Sequence, residues 1–329
     1  MPGAVIETRI AYPQAELQTA GRLGRLPLVS RTTGRERYSA RETAIAVAFT
    51  APSLVLFTIW VFYPLGRSVY LSLHGNDLFG RPALFVGGAQ FQELFASPVL
   101  RETILRTVAF TVLTVVPGLV LGTLIALALQ APIKGIGVFR TLLATPFAFS
   151  VATASVIFQI FFNPGVGVFN AILAVIHLHP VGWLTNPATA LPSVAMASVW
   201  LQLGYNVLVL SAGLQGIPEE IYEAARLDGA RGLTMARQIT LPMLTPTLFF
   251  LLVVSTVLAI QSFGQIHILT RGGPANATTT LVYSLYLNAF AYGSTNYGLA
   301  SAQALVLFAI VVAVTALQFG FLERRVFYR

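Results

Sequence analysis

The polar side chains with which this chain could contact a solute are neutral, and they lie inside otherwise apolar stretches of the sequence. Amides and hydroxyls of this kind can bind a polar solute weakly and reversibly. They can equally form hydrogen bonds between neighbouring helices, each worth about 0.6–2 kcal/mol. Both interpretations stay open for each of the residues concerned, which are Gln159, Gln202, Tyr205, Asn206, Gln261, Ser262 and Gln265.

The sequence predicts no catalytic residue, no metal site and no cofactor bound by this chain. It has no cysteine, which excludes a thiolate nucleophile and a disulfide. His177 and His179 lie two residues apart, but no carboxylate accompanies them, whereas a zinc site needs three or four ligands. The loop that holds ATP phosphates requires Gly-Lys followed by Ser or Thr, and the single lysine, Lys134, lies in the sequence Ala-Pro-Ile-Lys-Gly. ATP and Mg²⁺ would therefore have to be bound by other chains.

The composition is that of a membrane protein. Hydrophobic residues make up 56% of the 329 residues and charged residues 10%, whereas about 25% charged residues is usual in soluble domains. A helix needs about 20 apolar residues to cross a bilayer. Six stretches without any Asp, Glu, Lys or Arg approach or exceed that length, at about 44–63, 107–129, 141–162, 193–214, 246–263 and 300–319.

These stretches predict an all-α integral membrane protein with six transmembrane helices. The segment 278–290 is apolar but short, which favours a re-entrant or interfacial helix over a seventh span. Because no acid lies inside a span, a proton-coupled secondary transporter, which normally needs an intramembrane acid or histidine relay, is disfavoured.

The distribution of basic residues predicts the orientation, because Lys and Arg resist translocation. Fifteen of the 20 lie in the N-terminal tail, the connections around Lys134 and Arg226, and the C-terminal end, which are therefore predicted to be cytoplasmic. The other five, Arg67, Arg81, Arg101, Arg106 and Arg271, fall on the opposite side. This role also explains the net charge of +8, so nucleic-acid binding is not predicted. The predicted organisation is a cytoplasmic tail (1–41), a transmembrane domain (42–320) containing a cytoplasmic loop (215–245), and a C-terminal tail (321–329).

The loop 215–245 has the pattern of two short helices joined at a glycine. Pro218 suits a first helical turn, and the two glutamates that follow it suit the positive end of the helix dipole. Ala224 and Ala225 form a low surface that another protein could approach closely, and Gly229 can adopt positive φ to turn the chain. The alternative is a pair of amphipathic helices lying on the lipid headgroups.

This loop resembles the EAA loop of ABC importer permeases. In that family Glu-Ala-Ala is followed by three residues, a glycine, nine residues and Ile-x-Leu-Pro. The resemblance implies that the loop docks into a cleft on an ATP-hydrolysing subunit and carries its motion to the spans. It implies a charged contact by Glu223, close packing by the two alanines and a bend at the glycine. The residues that the resemblance assigns to this coupling are Glu223, Ala224, Ala225, Asp228, Gly229, Ile239, Leu241 and Pro242.

Most of the chain is similar to the carbohydrate-type permeases of that family, and within them to the permeases of glycerol-3-phosphate or glycerophosphodiester importers. The matching stretches are 162–165, 200–206, 272–274, 277–283 and 323–328. The resemblance implies the type I importer fold in a bacterial inner membrane, with a second permease subunit, two ATPase subunits and an extracytoplasmic substrate-binding protein as partners. A neutral di- or oligosaccharide or a polyol is the alternative substrate, and a secondary transporter or a membrane scaffold is a more distant alternative.

Overall fold

The computed structural model describes residues 40–77, 80–130, 134–291 and 296–322. Most of both predicted tails lies outside these ranges. The chain falls into two compact units, Met1–Ile59 and Trp60–Arg329. The described part of the first unit is helical and exposes its apolar side chains, as expected of a helix that contacts lipid.

The described residues are almost entirely helical. The helices are α1 (Ala40–Phe57), α2 (Tyr63–Ser72), α3 (Ala89–Ala96), α4 (Pro98–Ala128), α5 (Ile136–Ala144), α6 (Val151–Phe161), α7 (Val168–Val175), α8 (Pro187–Gln215), α9 (Glu219–Leu227), α10 (Gly232–Met235), α11 (Leu241–Ile260), α12 (Gly264–Leu269), α13 (Leu281–Tyr286) and α14 (Tyr297–Leu322). A 3₁₀ turn, Thr145–Ala148, follows α5, and π-helical turns occupy Thr58–Phe62, Ala236–Thr240 and Leu287–Ala291. One short antiparallel hairpin pairs β1 (His74–Asn76) with β2 (Pro82–Phe85).

The predicted membrane class is confirmed. Within the described residues, five helical stretches are long and apolar enough to cross a bilayer, and a bent pair brings the number to six. The five are Ala44–Ser72, Pro98–Ala128, Pro187–Gln215, Gly232–Ile260 and Tyr297–Phe321. Each overlaps one predicted span, while the orientation of the termini stays a prediction.

The third predicted span, 141–162, is not the single straight helix that its apolar run indicated. Its two parts, Ile136–Ala148 and Val151–Phe161, meet at an angle of 101°. Pro146 lacks an N–H group, and Ser150 has an extended conformation in which its side chain accepts a hydrogen bond from the Thr153 backbone N–H at 3.1 Å. Proline weakens a helical hydrogen-bond ladder by removing one donor, and the extended Ser150 is a strong N-cap, so the first helix ends here and another begins.

The fifth span begins earlier than predicted. Its helix runs from Gly232 to Ile260 without interruption, through Pro242 and Pro246. A π-helical turn at Ala236–Thr240 precedes the first of these prolines, and π-turns accommodate such local disruptions of the α-helical ladder. The second half of the predicted cytoplasmic loop is therefore continuous with the span.

The core is built around α8. Over its most apolar stretch 56% of the residues are buried, whereas none are in the corresponding stretch of α14. One apolar cluster joins α8 to α4, α6, α12 and α13 through side chains such as Phe110, Phe158 and Ile266, and a second joins it to α4 and α11 through Leu210, Leu244 and Leu251. This packing brings α8 beside the broken span and the end of α11, where the polar residues of the sequence lie.

The apolar segment 278–290 forms a helix that is too short to span a bilayer. It runs over Leu281–Ala291 and is fixed at its start by α4, because the Thr107 hydroxyl accepts a hydrogen bond from the Leu281 N–H at 2.8 Å. At its other end Asn288 donates to Gln303 of α14 at 2.9 Å. The segment is thus bound to α4 at its start and to α14 at its other end.

Candidate functional site

Five of the seven predicted solute-contacting residues line one cavity. It has a volume of about 620 Å³, within the range of about 300–1,000 Å³ that is typical of small-molecule sites. Gln202 and Tyr205 reach it from α8, because residues three apart share one face of a helix. The others come from the end of α11 and the start of α12, and they are Gln261, Ser262 and Gln265.

The end of α11 presents these polar groups because the helix stops there. It ends at Ile260, and Gln261 and Ser262 form the short connection to α12. The Ser262 hydroxyl donates to the Gln265 side-chain carbonyl at 2.9 Å, which fixes the orientation of that buried amide. The end of α11 therefore brings the polar side chains of Gln261, Ser262 and Gln265 together in the wall of one cavity.

Aromatic rings form another part of the cavity wall. Phe147 packs against Tyr205 with ring centroids 5.6 Å apart, and Phe149 packs against Trp200 at the same separation. Phe263 is also part of the lining. The lining residues include no acidic or basic side chain, so the cavity offers aromatic faces, amides and hydroxyls. Such a surface can contact a polar solute without holding it tightly.

The break in the third span makes this cavity. Phe147 and Phe149 lie at the break itself and point into the space beside α8. Gly204 of α8 lies so close to the break that a Cβ atom there would be 2.7 Å from the Ala144 carbonyl oxygen and 2.8 Å from the Phe147 nitrogen. The absence of a side chain at this glycine therefore lets the two backbones approach each other closely.

The remaining two predicted residues lie elsewhere. Asn206 is buried against α4, where its side chain donates to the Gly118 carbonyl at 3.2 Å and packs on Gly122. This is the inter-helix hydrogen bond that the sequence left open as an alternative. Gln159, on α6, lines two other cavities near Thr270.

The first helix of the loop 215–245 is α9, which ends in a Schellman motif. The N–H of Ala230 donates to the Ala225 carbonyl at 2.9 Å, and the N–H of Gly229 donates to the Arg226 carbonyl at 3.1 Å. Gly229 has φ of +86°, which residues with a Cβ adopt only at a cost. The motif satisfies the last carbonyls of α9 and turns the chain. The predicted helix-bend-helix arrangement is thus present, although the role of the loop stays a prediction.

The predicted contact residues of the loop differ in accessibility. Glu223, Ala224 and Asp228 are exposed together with Gly229, whereas Ala225 is buried against the rest of the chain. Ile239, Leu241 and Pro242 are half-buried where the helix enters the span. An exposed ion pair between Arg226 and Glu219, with N to O at 3.0 Å, spans α9.

Two leucines beside the bend were missed as contact residues. Leu227 is 89% exposed and Leu233 is 83% exposed, one on each side of Gly229. The helical spacing places Leu233 in the second helix but gives it no contact role. The sequence offered one signal of their exposure, because both leucines lie within a few residues of Gly229, at the turn. Both are exposed apolar side chains on an otherwise polar segment.

The sequence is similar to a known family and to named proteins. Residues 34–328 match the family described as "Binding-protein-dependent transport system inner membrane component". The sn-glycerol-3-phosphate transport system permease protein UgpA of Brucella abortus is 41% identical over 281 residues, which cover 84% of this chain and 94% of that protein. The protein of the same name from Pectobacterium atrosepticum is 33% identical over 294 residues, covering 88% and 97%.

The solved structures agree at the level of fold. One chain of a bacterial ABC transporter involved in the import of the acidic polysaccharide alginate superimposes with a TM-score of 0.74. The match covers 88% of this chain and 98% of that one, at 23% sequence identity. A second structure, of a bacterial alginate ABC transporter with its pentasaccharide-bound periplasmic protein, gives a TM-score of 0.73 at 22% identity, covering 86% and 96%. The predicted type I importer permease fold is therefore confirmed.

Proposed function

The chain belongs to the family of binding-protein-dependent transport system inner membrane components, and from this premise we propose that it forms half of the translocation pathway of an ATP-driven importer for glycerol-3-phosphate or glycerophosphodiesters. Glycerophosphocholine is one such diester. The observation that carries the proposal is the 41% identity, over 84% of the chain, with a protein named for sn-glycerol-3-phosphate transport. As a member of its family, the chain is a multi-pass protein of the inner membrane.

The cavity between α8, the broken span and α12 is the proposed route of the solute. An isolated phosphate in an apolar medium costs tens of kcal/mol, so it must cross with water and with the donors of Gln202, Tyr205 and Gln261. Contacts of this neutral kind are weak, and weak contacts allow the solute to leave as readily as it arrives. Discrimination then falls to a separate substrate-binding protein.

The proposed partners follow from the family and from the lack of a phosphate-binding loop in the chain. They are a second permease subunit, two ATPase subunits and an extracytoplasmic binding protein. ATP and Mg²⁺ bind to the ATPase subunits, and this chain contributes no catalytic residue. Its task is to convert the closing of the ATPase pair into movement of the spans.

The bent loop is the proposed contact with the ATPase. Glu223 and Asp228 offer charge, Ala224 allows close approach, and Leu227 and Leu233 provide apolar side chains that are exposed before docking. Burying two leucines stabilises an interface by about 1.5–3 kcal/mol each at full burial. Because α10 continues into α11 as one helix, displacement of the loop is transmitted directly to the end of that helix, which lines the cavity.

A neutral di- or oligosaccharide or a polyol is a second candidate substrate. The observation that favours it is the lining of the cavity, which combines aromatic rings with amides and has no cationic side chain. Such a surface suits a hydroxyl-rich, uncharged solute as well as it suits a glycerol moiety.

The test is ATP turnover by the purified complex with its binding protein. Turnover stimulated by glycerol-3-phosphate or glycerophosphodiesters, and not by disaccharides, supports the proposal. Stimulation by disaccharides alone contradicts it and favours the second candidate. If no ATP-binding partner co-purifies with the chain, the importer assignment itself fails.

The two amides of α8 are expected to respond differently to truncation. Gln202→Ala removes a donor from the cavity wall, so the maximal uptake rate is expected to fall several-fold with the yield of complex unchanged. Asn206→Ala removes the inter-helix hydrogen bond to the Gly118 carbonyl, which is worth about 0.6–2 kcal/mol. We expect a lower thermal unfolding midpoint with near-normal uptake per folded complex. Unchanged uptake in Gln202→Ala would remove this residue from the pathway.

A further inference from the structure

The cavity of about 620 Å³ has no charged side chain in its lining and is called the neutral cavity below. Two further cavities adjoin each other near the other end of α12. Their volumes are about 460 Å³ and 430 Å³, and they share Gln159, Leu269 and Thr270 as lining residues. The larger one is also bordered by Asn163 and Thr185, and the smaller one by His267 and Arg271. Their position on α12 connects them with the proposed route, because Phe263 of the neutral cavity stacks on His267 with ring centroids 5.1 Å apart.

Arg271 is the only formally charged residue that lines any of these three cavities within the described part of the chain. Its side chain is exposed, and no carboxylate within the described ranges forms an ion pair with it. An unpaired guanidinium at a cavity wall is suited to bidentate contact with a phosphate or carboxylate. It also belongs to the few arginines predicted on the outer side of the membrane.

The backbone that carries Arg271 is held in a defined position. The residue has φ of +51°, which is uncommon for a residue with a long side chain. The threonines that follow the turn hold it there: the Thr278 and Thr279 hydroxyls donate to the carbonyls of Gly273 and Gly272, at 2.9 and 3.1 Å. Thr270 and Thr278 share a further hydrogen bond of 2.7 Å. The loop therefore presents the guanidinium from a fixed base.

His267, which lines the smaller cavity, has a buried ring nitrogen without a hydrogen-bond partner among the described residues. His267 Nδ1 is inaccessible and forms no hydrogen bond with the residues that the structure describes. A polar group left in this state costs about 1–3 kcal/mol unless a ligand or water satisfies it. His267 precedes Arg271 by four residues and lines the same cavity.

We propose that Arg271, together with Gln159, forms an outer phosphate-contact site that receives the solute before it reaches the neutral cavity. The inference rests on the proposed function, because it requires an anionic substrate. The neutral cavity has no charged side chain to attract an anion, whereas a single cation in the neighbouring cavity lowers the free energy of a phosphate there and raises its local concentration. The solute is then passed along α12 to groups that hold it weakly.

The test measures uptake of glycerol-3-phosphate and of glycerophosphocholine by the complete complex in proteoliposomes, at saturating loaded binding protein. Attraction to one cation scales with ligand charge. For Arg271→Gln we therefore expect the maximal rate to fall by about tenfold for the dianionic monoester. For glycerophosphocholine we expect a smaller loss, about threefold, because its phosphodiester carries one negative charge that its own choline cation balances. Arg271→Lys should recover most of the rate, and about 0.5 M salt should shrink the difference between the esters.

Arg101→Gln is the matched control, since Arg101 is exposed on the same predicted side but lines none of these cavities. Its rates should equal those of the wild type. Gln159→Leu, at an exposed position of α6, is a second variant that does not depend on the loop, and we expect a loss of about threefold for both esters, the size of one hydrogen bond.

Three results would overturn the inference. One is unchanged uptake in both Arg271→Gln and Gln159→Leu. Another is an equal loss for the two esters in Arg271→Gln. A third is a loss that appears only below saturation with loaded binding protein, which would mean that Arg271 contacts that protein and not the solute. A wild-type complex that transports only neutral sugars would instead contradict the proposed function, before any variant is compared.

Discussion

Gly229→Pro is expected to abolish substrate-stimulated ATP turnover in the assembled importer while the spans remain folded. Proline fixes φ near −65°, whereas Gly229 has φ of +86°. Proline also removes the N–H that donates to the Arg226 carbonyl at 3.1 Å. A proline at an incompatible position costs about 3 kcal/mol or more, which corresponds to about a hundredfold loss of the bent conformation. The measurement is ATP turnover with loaded binding protein, together with the yield of ATPase subunit that co-purifies.

A graded series separates the bend from other effects of mutation. Asparagine tolerates the left-handed region better than other residues with a Cβ, so Gly229→Asn should retain much of the turnover and Gly229→Val little. Gly137→Ala is the control, because that glycine also has open space around it but no positive φ. Glu223→Lys reverses an exposed charge on α9 and should weaken docking without changing the bend. Normal turnover in both Gly229→Pro and Glu223→Lys would refute the docking assignment.

Gly204→Val is expected to produce the largest loss of stability in the transmembrane part of the chain. A Cβ at this position would lie 2.7 Å from the Ala144 carbonyl oxygen and 2.8 Å from the Phe147 nitrogen. Overpacking a core costs about 1–3 kcal/mol, occasionally more, and we expect the upper end because the opposing atoms are backbone atoms. The broken span must then move away from α8, which displaces Phe147 from the cavity wall. The measurements are the thermal unfolding midpoint of the purified complex and its uptake rate.

Gly320→Val provides the comparison for this effect. Gly320 lies in α14, and nothing lies within 4 Å of the position that a Cβ would occupy, so the added side chain meets no described atom of this chain. We expect its unfolding midpoint to stay close to that of the wild type. Gly204→Ala should fall between the two, since one methyl group already meets the opposing backbone. A Gly204→Val complex as stable as the wild type would show that the two backbones do not approach this closely.

Local chemistry explains why parts of this structure could be predicted from the sequence. A bilayer offers no hydrogen-bond partner to the backbone, so an uncharged apolar run of sufficient length has to be helical. The bend in the loop was predictable for a similar reason, since Gly229 is the residue that adopts positive φ at little cost. The spacing of Glu223, Ala224 and Ala225 relative to this glycine indicates the family without any knowledge of the tertiary contacts.

The sequence could not sort the polar residues into those that face the cavity and those that join helices. Gln202 and Asn206 lie four residues apart on α8, yet one lines the cavity and the other donates to Gly118, which is 88 residues away along the chain. Only the crossing of α4 with α8 decides this, because the choice depends on which helix lies against each side of α8. The pattern of one segment contains no information about that neighbour.

The residues themselves thus determined the membrane class, the number of apolar stretches, the bent loop and the family. The tertiary structure decided where the third span breaks, and through that break which aromatic rings and amides surround one space of about 620 Å³. The physical reason is the range of the interactions concerned. Helix formation and glycine turns depend on a few consecutive residues, whereas a cavity exists only where residues distant in the chain fail to fill the space between them.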